Sequence, residues 1–212
     1  MPKTKAKSSL ATTNPKREQI LQGAMQVFLQ QGYAGTSMDR VAEAAGVSKN
    51  TIYNHFRDKE GLFTALIEHI TSDRFQIVFG KVPLEGKPEI VLRQIAEKLL
   101  STILPDKEYI SFLRLLIGES ERFPQLAQLF VSNLPQKVLS LLSEYFRSHP
   151  EINLPNPEAT ARIFMGSLMG YVLTQEILQG KEIIPLSQAD LIDNLIILIT
   201  DRNHEKNSRS MS

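Results

Sequence analysis

The sequence of 212 residues contains no cysteine and no tryptophan. The lack of cysteine excludes disulfide bonds and thiolate metal sites, and it suits a reducing cytoplasm. No apolar run reaches the roughly 18 residues that a membrane-spanning helix needs, and the basic N-terminus lacks the apolar segment of a secretory signal. Hydrophobic residues nevertheless make up 42% of the chain, which is enough for one medium domain or a small domain fused to a larger one.

The chain also has almost no net charge, formally +1, but this charge is unevenly divided. Residues 1–60 hold nine Lys and Arg against five acidic residues, a formal charge of +4, whereas the remainder holds 15 against 18, or −3. This asymmetry indicates that the first segment is the part that meets a polyanion. Random scatter of so modest an excess stays the alternative.

Motifs of enzyme chemistry are absent from the sequence as well. There is no phosphate-binding loop, dinucleotide-binding glycine pattern or nucleophile elbow. The four histidines, at positions 55, 69, 149 and 204, show no spacing that pairs metal ligands, and Glu119 and Glu121 face different sides of a predicted helix. We therefore expect no catalytic residue, no metal and no cofactor, and the chain is not predicted to be an enzyme.

The apolar periodicity is helical throughout and predicts an all-α protein of about nine helices. Residues 1–14 form a basic tail that we expect to be disordered, although such an arm can also lie along DNA. The first helix begins at Pro15 and stops at Gly32, and Asp58 caps a long fourth helix. Pro135 is expected to kink or divide a later helix, and residues 203–212 are expected to fray.

The most informative stretch is Thr36 to Lys59, TSMDRVAEAAGVSKNTIYNHFRDK. It predicts two short helices joined by a tight turn at Gly46, where glycine takes a positive φ without strain. Thr36 or Ser37 caps the first helix and Ser48 caps the second. A helix pair of this kind, with a polar outer face on its second helix, is the helix-turn-helix DNA reader. We accordingly predict a three-helix DNA-binding domain at residues 15–60 and a larger helical effector-binding and dimerisation domain at residues 61–202.

The residues Gly32 to Phe63 are similar to the DNA-binding domain of the TetR family of bacterial transcription regulators. The elements that match are the G-[YF]-x-x-T start, the A-x-x-A-G-V-S turn, the T-[LI]-Y-x-[HY]-F recognition helix and the following K-E-x-L. The segment Ile117 to Phe130, IGESERFPQLAQLF, also resembles C-terminal domains of AefR-type members. The sequence departs from the family at Asn50, often glycine, and at Gly61, where an acid is common. The resemblance implies a cytoplasmic all-α homodimer that binds a double-stranded DNA operator, associates with the nucleoid when bound, and carries an effector-binding body.

The reading helix is predicted to divide its contacts between base edges and phosphates. Asparagine bonds adenine and lysine bonds guanine, so the residues predicted to enter the major groove are Lys49, Asn50, Thr51, Asn54 and His55. Those predicted to hold phosphates, which set register and salt dependence, are Thr36, Ser48, Tyr53 and Lys59. For His55, a packing or capping role within the domain stays open.

The body is predicted to hold an effector pocket and a dimer seam. The pocket residues are Phe75, Phe79, Phe112, Leu116, Phe130, Phe164, Met165, Met169 and Tyr171, with Arg114, Glu119 or Gln175 fixing a polar group; plain core is the alternative. The last two helices carry closely spaced glycines and an almost wholly apolar surface, which favours pairing with a second copy. The predicted seam residues are Gly166, Gly170, Leu191, Leu195 and Leu198, and the alternative is the core of a monomer.

Together these features predict a TetR-type transcriptional repressor that a small apolar or amphipathic effector releases from an inverted-repeat operator. Three alternatives stay open: that a protein partner controls the body, that the regulator acts as an activator, or that the chain is an enzyme that carries this DNA-binding head.

Overall fold

The computed structural model describes residues 14–80 and 84–201, and within these ranges the chain is helical and has no strand, as expected. The tails predicted at residues 1–14 and 203–212, the second of which includes His204, lie outside the described residues except for Asn14. The ten α-helices of the described ranges are α1 (Pro15–Gly35), α2 (Met38–Ala45), α3 (Lys49–His55), α4 (Lys59–Phe79), α5 (Pro88–Ile103), α6 (Lys107–Glu119), α7 (Pro124–Asn133), α8 (Pro135–Arg147), α9 (Pro157–Val172) and α10 (Gln188–Thr200).

The chain divides into two compact units between Leu66 and Ile67. We call residues 14–66 the head and residues 67–201 the body. Helix α4 supplies residues to both units. None of the helices in the described ranges combines the length and the apolarity needed to cross a bilayer.

The helix ends of the head follow from local capping. Asn14 caps α1 by accepting a hydrogen bond from the backbone N–H of Lys16, and α1 is interrupted at Gly32, whose φ is 71°. Ser37, and not Thr36, caps α2 by accepting from the backbone N–H of Arg40. Asp58 caps α4 through its side chain, which accepts from the backbone N–H of Gly61 at 2.8 Å.

The turn between α2 and α3 is built on a left-handed residue. Gly46 has φ 60° and ψ 40°, a conformation that costs a residue with a Cβ atom stability. The backbone N–H of Val47 donates to the carbonyl of Ala42 at 3.0 Å. The side chain of Gln19, from α1, donates to the carbonyl of Ala45 at 2.7 Å, and Ser48 begins α3 by accepting from the backbone N–H of Thr51. Two side chains and one glycine therefore fix the direction in which α3 leaves α2.

The head core combines a close helix crossing with an aromatic cluster. At the crossing of α1 and α2, a Cβ atom built on Gly23 would lie 2.7–2.8 Å from atoms of Ala45. The rings of Phe28 and Tyr33 each meet the ring of Phe63 edge-on, with centroid distances of 4.7 and 5.0 Å. Edge-to-face pairs of this kind add stability beyond the area they bury.

The body contains the remaining helices and two interruptions. Leu134 has a non-helical backbone, φ −124° and ψ −68°, and so separates α7 from α8; Pro135 therefore divides the predicted helix, because its ring blocks continuation from the preceding turn. Helix α9 passes into a π-helical turn, Leu173–Ile177, that the sequence did not predict. Arg114 of α6 donates to the carbonyls of Glu176 and Ile177 in this turn, at 2.5 and 3.1 Å.

Two glycines give a direct test of the head packing. Gly23→Ala forces α1 and α2 apart, so we expect the free energy of unfolding to fall by about 1–2 kcal/mol, the overpacking cost outweighing the gain in helix propensity. Gly118→Ala is the matched control in α6, because a Cβ atom there has no atom within 4 Å. It should raise stability by about 0.5–1 kcal/mol. Urea denaturation followed by circular dichroism measures both, and equal effects would contradict the close crossing.

Candidate nucleic-acid interface and body cavity

Helix α3 presents one polar face and buries the other. Ile52 and Phe56 are buried in the head, at 0% and 5% exposure, whereas Asn50, Tyr53 and Asn54 are exposed. The spacing of these three exposed residues, i, i+3 and i+4, places them side by side on a helix. They form a continuous surface of two amides and one phenol, which we call the reading face.

Lys49 lies at the start of α3 and is paired within the head. Its ammonium is 2.7 Å from a carboxylate oxygen of Asp39 in α2, and both side chains are at least half exposed. The hydrogen bond that Lys49 donates to Asp39 raises the pKa of Lys49, which stays charged at neutral pH. A phosphate or a guanine must therefore compete with Asp39 for this ammonium.

The other predicted contact residues of α3 are placed as follows. The hydroxyls of Ser48 and Thr51 are 2.7 Å apart and together begin the helix. His55 is exposed at the end of α3, with its ring 6.0 Å from the ring of Phe56. All three remain near the reading face.

Two residues that the sequence assigned to phosphates have internal partners instead. Thr36 is buried at 4% exposure, and its hydroxyl donates to the carbonyl of Gly32 at 2.7 Å. The ammonium of Lys59 donates to the carbonyls of Tyr33, Ala34 and Thr36 at 2.9–3.1 Å and lies 4.9 Å from the centre of the Tyr33 ring. Both side chains close the end of α1, so we leave them out of the proposed DNA surface.

The body contains an apolar cavity of about 310 Å³. Residues of α4 to α9, including the link between α7 and α8, line it: Arg74, Val78, Phe79, Leu99, Ile103, Tyr109, Phe130, Leu134, Pro135, Val138, Leu139, Arg162, Met165, Gly166 and Met169. Four of the residues predicted for the pocket are among them, namely Phe79, Phe130, Met165 and Met169. The volume lies at the lower end of the range for small-molecule sites.

The other residues predicted for the pocket lie elsewhere. Phe112, Leu116 and Phe164 are buried in the body core and do not line this cavity. Phe75 lines a separate polar cleft, and the hydroxyl of Tyr171 donates to the carbonyl of Leu186. Helical spacing identified these side chains as apolar, but it did not tell cavity wall from solid core.

The polar groups of the cavity also differ from those predicted. Arg114 caps the π-helical turn, and the amide of Gln175 donates to the carbonyl of Ile184. Neither Arg114 nor Gln175 lines the cavity, and Glu119 does not line it either. The lining polar residues are Arg74, Tyr109 and Arg162, which come from three different helices. No local pattern in the sequence marks them.

Arg74 and Tyr109 belong to a small network with Asp106. The guanidinium of Arg74 lies 4.3 Å from the centre of the Tyr109 ring and donates to the carboxylate of Asp106. The other oxygen of that carboxylate caps α6 by accepting from the backbone N–H of Tyr109 at 2.9 Å. Burial opposes ionisation of Asp106, but the hydrogen bonds from Tyr109 and Arg74 outweigh it and lower the pKa. The charge of Arg74 is therefore already neutralised by a fixed carboxylate.

The residues predicted for a dimer seam are only partly available on one protomer. Leu198 is 70% exposed and its neighbour Ile197 is 53% exposed, whereas Leu195 is buried at 5%. A Cβ atom on Gly166 or Gly170 has no atom within 4 Å, and Leu191 is half-buried. Because Leu195 packs into its own protomer, we leave it out of the proposed seam.

Comparison with known families gives one match in the head and one in the body. Residues 20–66 match the description "bacterial regulatory proteins, tetR family". Residues 90–198, half of the chain, match "AefR-like transcriptional repressor, C-terminal domain". The chain belongs to the TetR family. It is a DNA-binding transcriptional regulator and not an enzyme, since the proteins it matches are regulators.

Individual relatives of this TetR-family regulator match from about half to most of its length. The HTH-type regulator YvkB of Bacillus subtilis is 29% identical over 183 residues, covering 85% of this chain and 93% of that protein. The regulator AcrR of Shigella flexneri is 32% identical over 117 residues, about half of each chain. Among solved structures, the flavonoid-responsive regulator FrrA is 28% identical, with a TM-score of 0.71 and coverage of 91% of this chain and 96% of that one.

The two departures from the TetR-family pattern have different places in the structure. Asn50 is exposed on the reading face and adds an amide where family members often have none. Gly61 lies in the first turn of α4, where its backbone N–H completes the cap made by Asp58. Asn50 therefore bears on which bases are read, whereas Gly61 bears only on how α4 begins.

Substitution of two lysines of the head compares a charge that is bound to backbone carbonyls, that of Lys59, with a charge on the surface, that of Lys49. Lys59→Met removes three charge-assisted hydrogen bonds to carbonyls while keeping the side-chain length, and we expect it to lower the free energy of unfolding by about 1–3 kcal/mol. Lys49→Met removes the same charge from an exposed ion pair, so its effect on the free energy of unfolding should be much smaller than that of Lys59→Met. Urea denaturation of both variants checks this. An equally stable Lys59→Met protein would show that the three contacts do not hold the head together.

Proposed function

We propose that this TetR-family regulator is a homodimeric repressor that a small apolar or amphipathic effector releases from an inverted-repeat operator. The observation that carries the proposal is the reading face, where Asn50, Tyr53 and Asn54 are exposed side by side on a helix whose opposite face is buried. A helix held in this way meets a base sequence with a fixed set of donors and acceptors.

The proposed contacts follow from the chemistry of each exposed side chain. Asn50 and Asn54 are suited to adenine, and Lys49 to guanine. Thr51 and His55 complete the major-groove set, and Ser48 and Tyr53 hold phosphates and set the register. The match to helix-turn-helix relatives supports this division, because their second helix enters the groove.

We propose that α9 and α10 pair with the same helices of a second copy. An added Cβ atom on Gly166 or Gly170 of α9 has no atom within 4 Å, although Gly166 also lines the body cavity. Leu191 and Leu198 lie on α10 where at least part of each side chain is not covered by its own protomer. Two-fold pairing makes an isologous contact, and it brings two reading faces to half-sites separated by whole turns of DNA.

The cavity in the body is the proposed effector site. Its wall is mostly aliphatic and aromatic, and it is formed by several helices of which α4 also supplies residues to the head. FrrA, a relative by structure and sequence, is described as flavonoid-responsive, which supports a small-molecule effector. A ligand releases DNA only if it binds more tightly to the conformer that does not fit the operator.

The same cavity favours a small molecule over a protein partner as the controlling ligand. A protein partner requires an exposed contact surface, whereas a concave apolar cavity of this size suits a compact ligand. The match to a repressor C-terminal domain supports repression over activation. We place the protein in the bacterial cytoplasm, on the nucleoid when it is bound to its operator.

The operator and the reading face are tested together. Genome-wide sequencing of DNA that co-purifies with the protein yields the operator, which we expect to be an inverted repeat. On that operator, Asn50→Ala should weaken binding by about 1–3 kcal/mol per half-site, and Tyr53→Phe should weaken it by about 1 kcal/mol through loss of one phosphate contact.

The control is Gln22→Ala, which changes an exposed amide of α1 outside the reading face and should leave the operator affinity unchanged. Fluorescence anisotropy with labelled operator measures all three variants. If Asn50→Ala and Tyr53→Phe both keep the full affinity, α3 is not the reading helix and the proposal fails.

A further inference from the structure

We propose that the effector is an amphipathic carboxylic acid, whose apolar body fills the cavity and whose oxygens accept hydrogen bonds from Tyr109 and Arg162. This inference rests on the proposed function, because it names the ligand class of the same cavity.

The first observation is the hydroxyl of Tyr109. This side chain is 3% exposed and lines the cavity, yet its hydroxyl makes no hydrogen bond with any residue in the described ranges. Burial raises the pKa of Tyr109 to about 12, so the hydroxyl keeps its proton at neutral pH and is able to donate it. The hydroxyl is open to the cavity, where water or a ligand oxygen accepts its hydrogen bond, so a ligand that displaces the water must offer an oxygen in its place.

Tyr145 shows that the body pairs a comparable hydroxyl elsewhere. It is 4% exposed, and its hydroxyl donates to the carbonyl of Gly86 at 3.2 Å. The two tyrosines thus share burial but differ in hydrogen bonding, and only Tyr109 faces a cavity. This difference supports a role for the Tyr109 hydroxyl in binding a ligand.

The second observation is the positive charge of the polar side chains that line the cavity. Its polar lining residues are Arg74, Tyr109 and Arg162, all of which carry hydrogen-bond donors, and no carboxylate lines it. The charge of Arg74 is neutralised by Asp106. Arg162 is exposed and lines the cavity one turn of α9 before Met165, and within the described ranges it forms no ion pair and no side-chain hydrogen bond. A free guanidinium beside an apolar cavity selects an anion and binds a carboxylate well.

The third observation is the apolar remainder of the wall. Phe79, Phe130, Met165 and Met169 supply aromatic and thioether surface, and methionine adapts to ligands of varied shape. A polyol or a sugar would leave its hydroxyl groups without partners there, and a protonated amine would meet the positive charge of Arg162, which no carboxylate neutralises within the described ranges. An acid with a chain or ring as its body satisfies the donors and the apolar wall together.

The test uses three probes that share a chain and differ in the head group: decanoate, decanol and decylamine. Isothermal titration calorimetry with the whole protein should show decanoate binding at least about ten-fold more tightly than decanol, and no binding of decylamine. Arg162→Gln should abolish the preference for decanoate over decanol. Tyr109→Phe should weaken both probes by about ten-fold, because each offers an oxygen to the hydroxyl.

Two matched variants serve as controls. Lys98→Gln removes one exposed positive charge of the body away from the cavity, and Tyr145→Phe removes the paired hydroxyl; neither should change decanoate binding. Without any probe, Tyr109→Phe should keep or raise the melting temperature, whereas Tyr145→Phe should lower it. This comparison tests the unpaired hydroxyl independently of any ligand.

The inference is overturned if decanol or decylamine binds as tightly as decanoate, if no probe binds, or if Tyr109→Phe and Arg162→Gln leave decanoate binding unchanged. The proposed function has a separate readout, which is the operator affinity of the same preparations without probe. Retained operator binding beside failed probe binding overturns the ligand class alone. Failure of the ligand-free wild-type protein to bind an operator overturns the proposed function.

Discussion

The burial of Ile52 and Phe56 is the constraint on which the head depends. Helix α3 has only seven residues, and a helix of that length is not stable alone in water. It exists because these two side chains are buried in the head, and the helical period then fixes which residues point outward. The reading face is therefore a consequence of core packing, and the same sequence pattern encodes both.

Much of the head is predictable from sequence, because its features are local. The capping side chains, the left-handed Gly46 and the apolar spacing of α3 all act within a few residues, so their patterns survive in the sequence. Lys59 could not be assigned in this way, because the carbonyls that it binds at the end of α1 lie 23 to 26 positions away. The partner of Thr36, the carbonyl of Gly32, is only four positions away, but threonine at this position also suits a helix cap or a phosphate contact, and the sequence does not choose among these roles.

The body is less predictable for the same physical reason. Leu195 and Leu198 are three positions apart on an almost wholly apolar helix. The polar Asp193 and Asn194 lie one turn before the exposed Ile197 and Leu198, so they are the sequence signal that could have separated Leu198 from the buried Leu195. The cavity wall is assembled by residues from many helices, so Arg74, Tyr109 and Arg162 come together only in the folded body. Periodicity predicts that a residue is buried, whereas the neighbours that decide between core and cavity come from distant segments.

The account makes one claim above the others, that a buried apolar stripe on α3 presents a fixed polar face that reads DNA in two-fold pairs. Selection of bound sequences from a random pool of duplexes by the wild-type protein tests it most directly. The account predicts an inverted repeat whose half-site centres lie a whole number of turns apart, each turn being about 10 base pairs. Recovery of a single unrepeated site, or of no shared sequence at all, would contradict it.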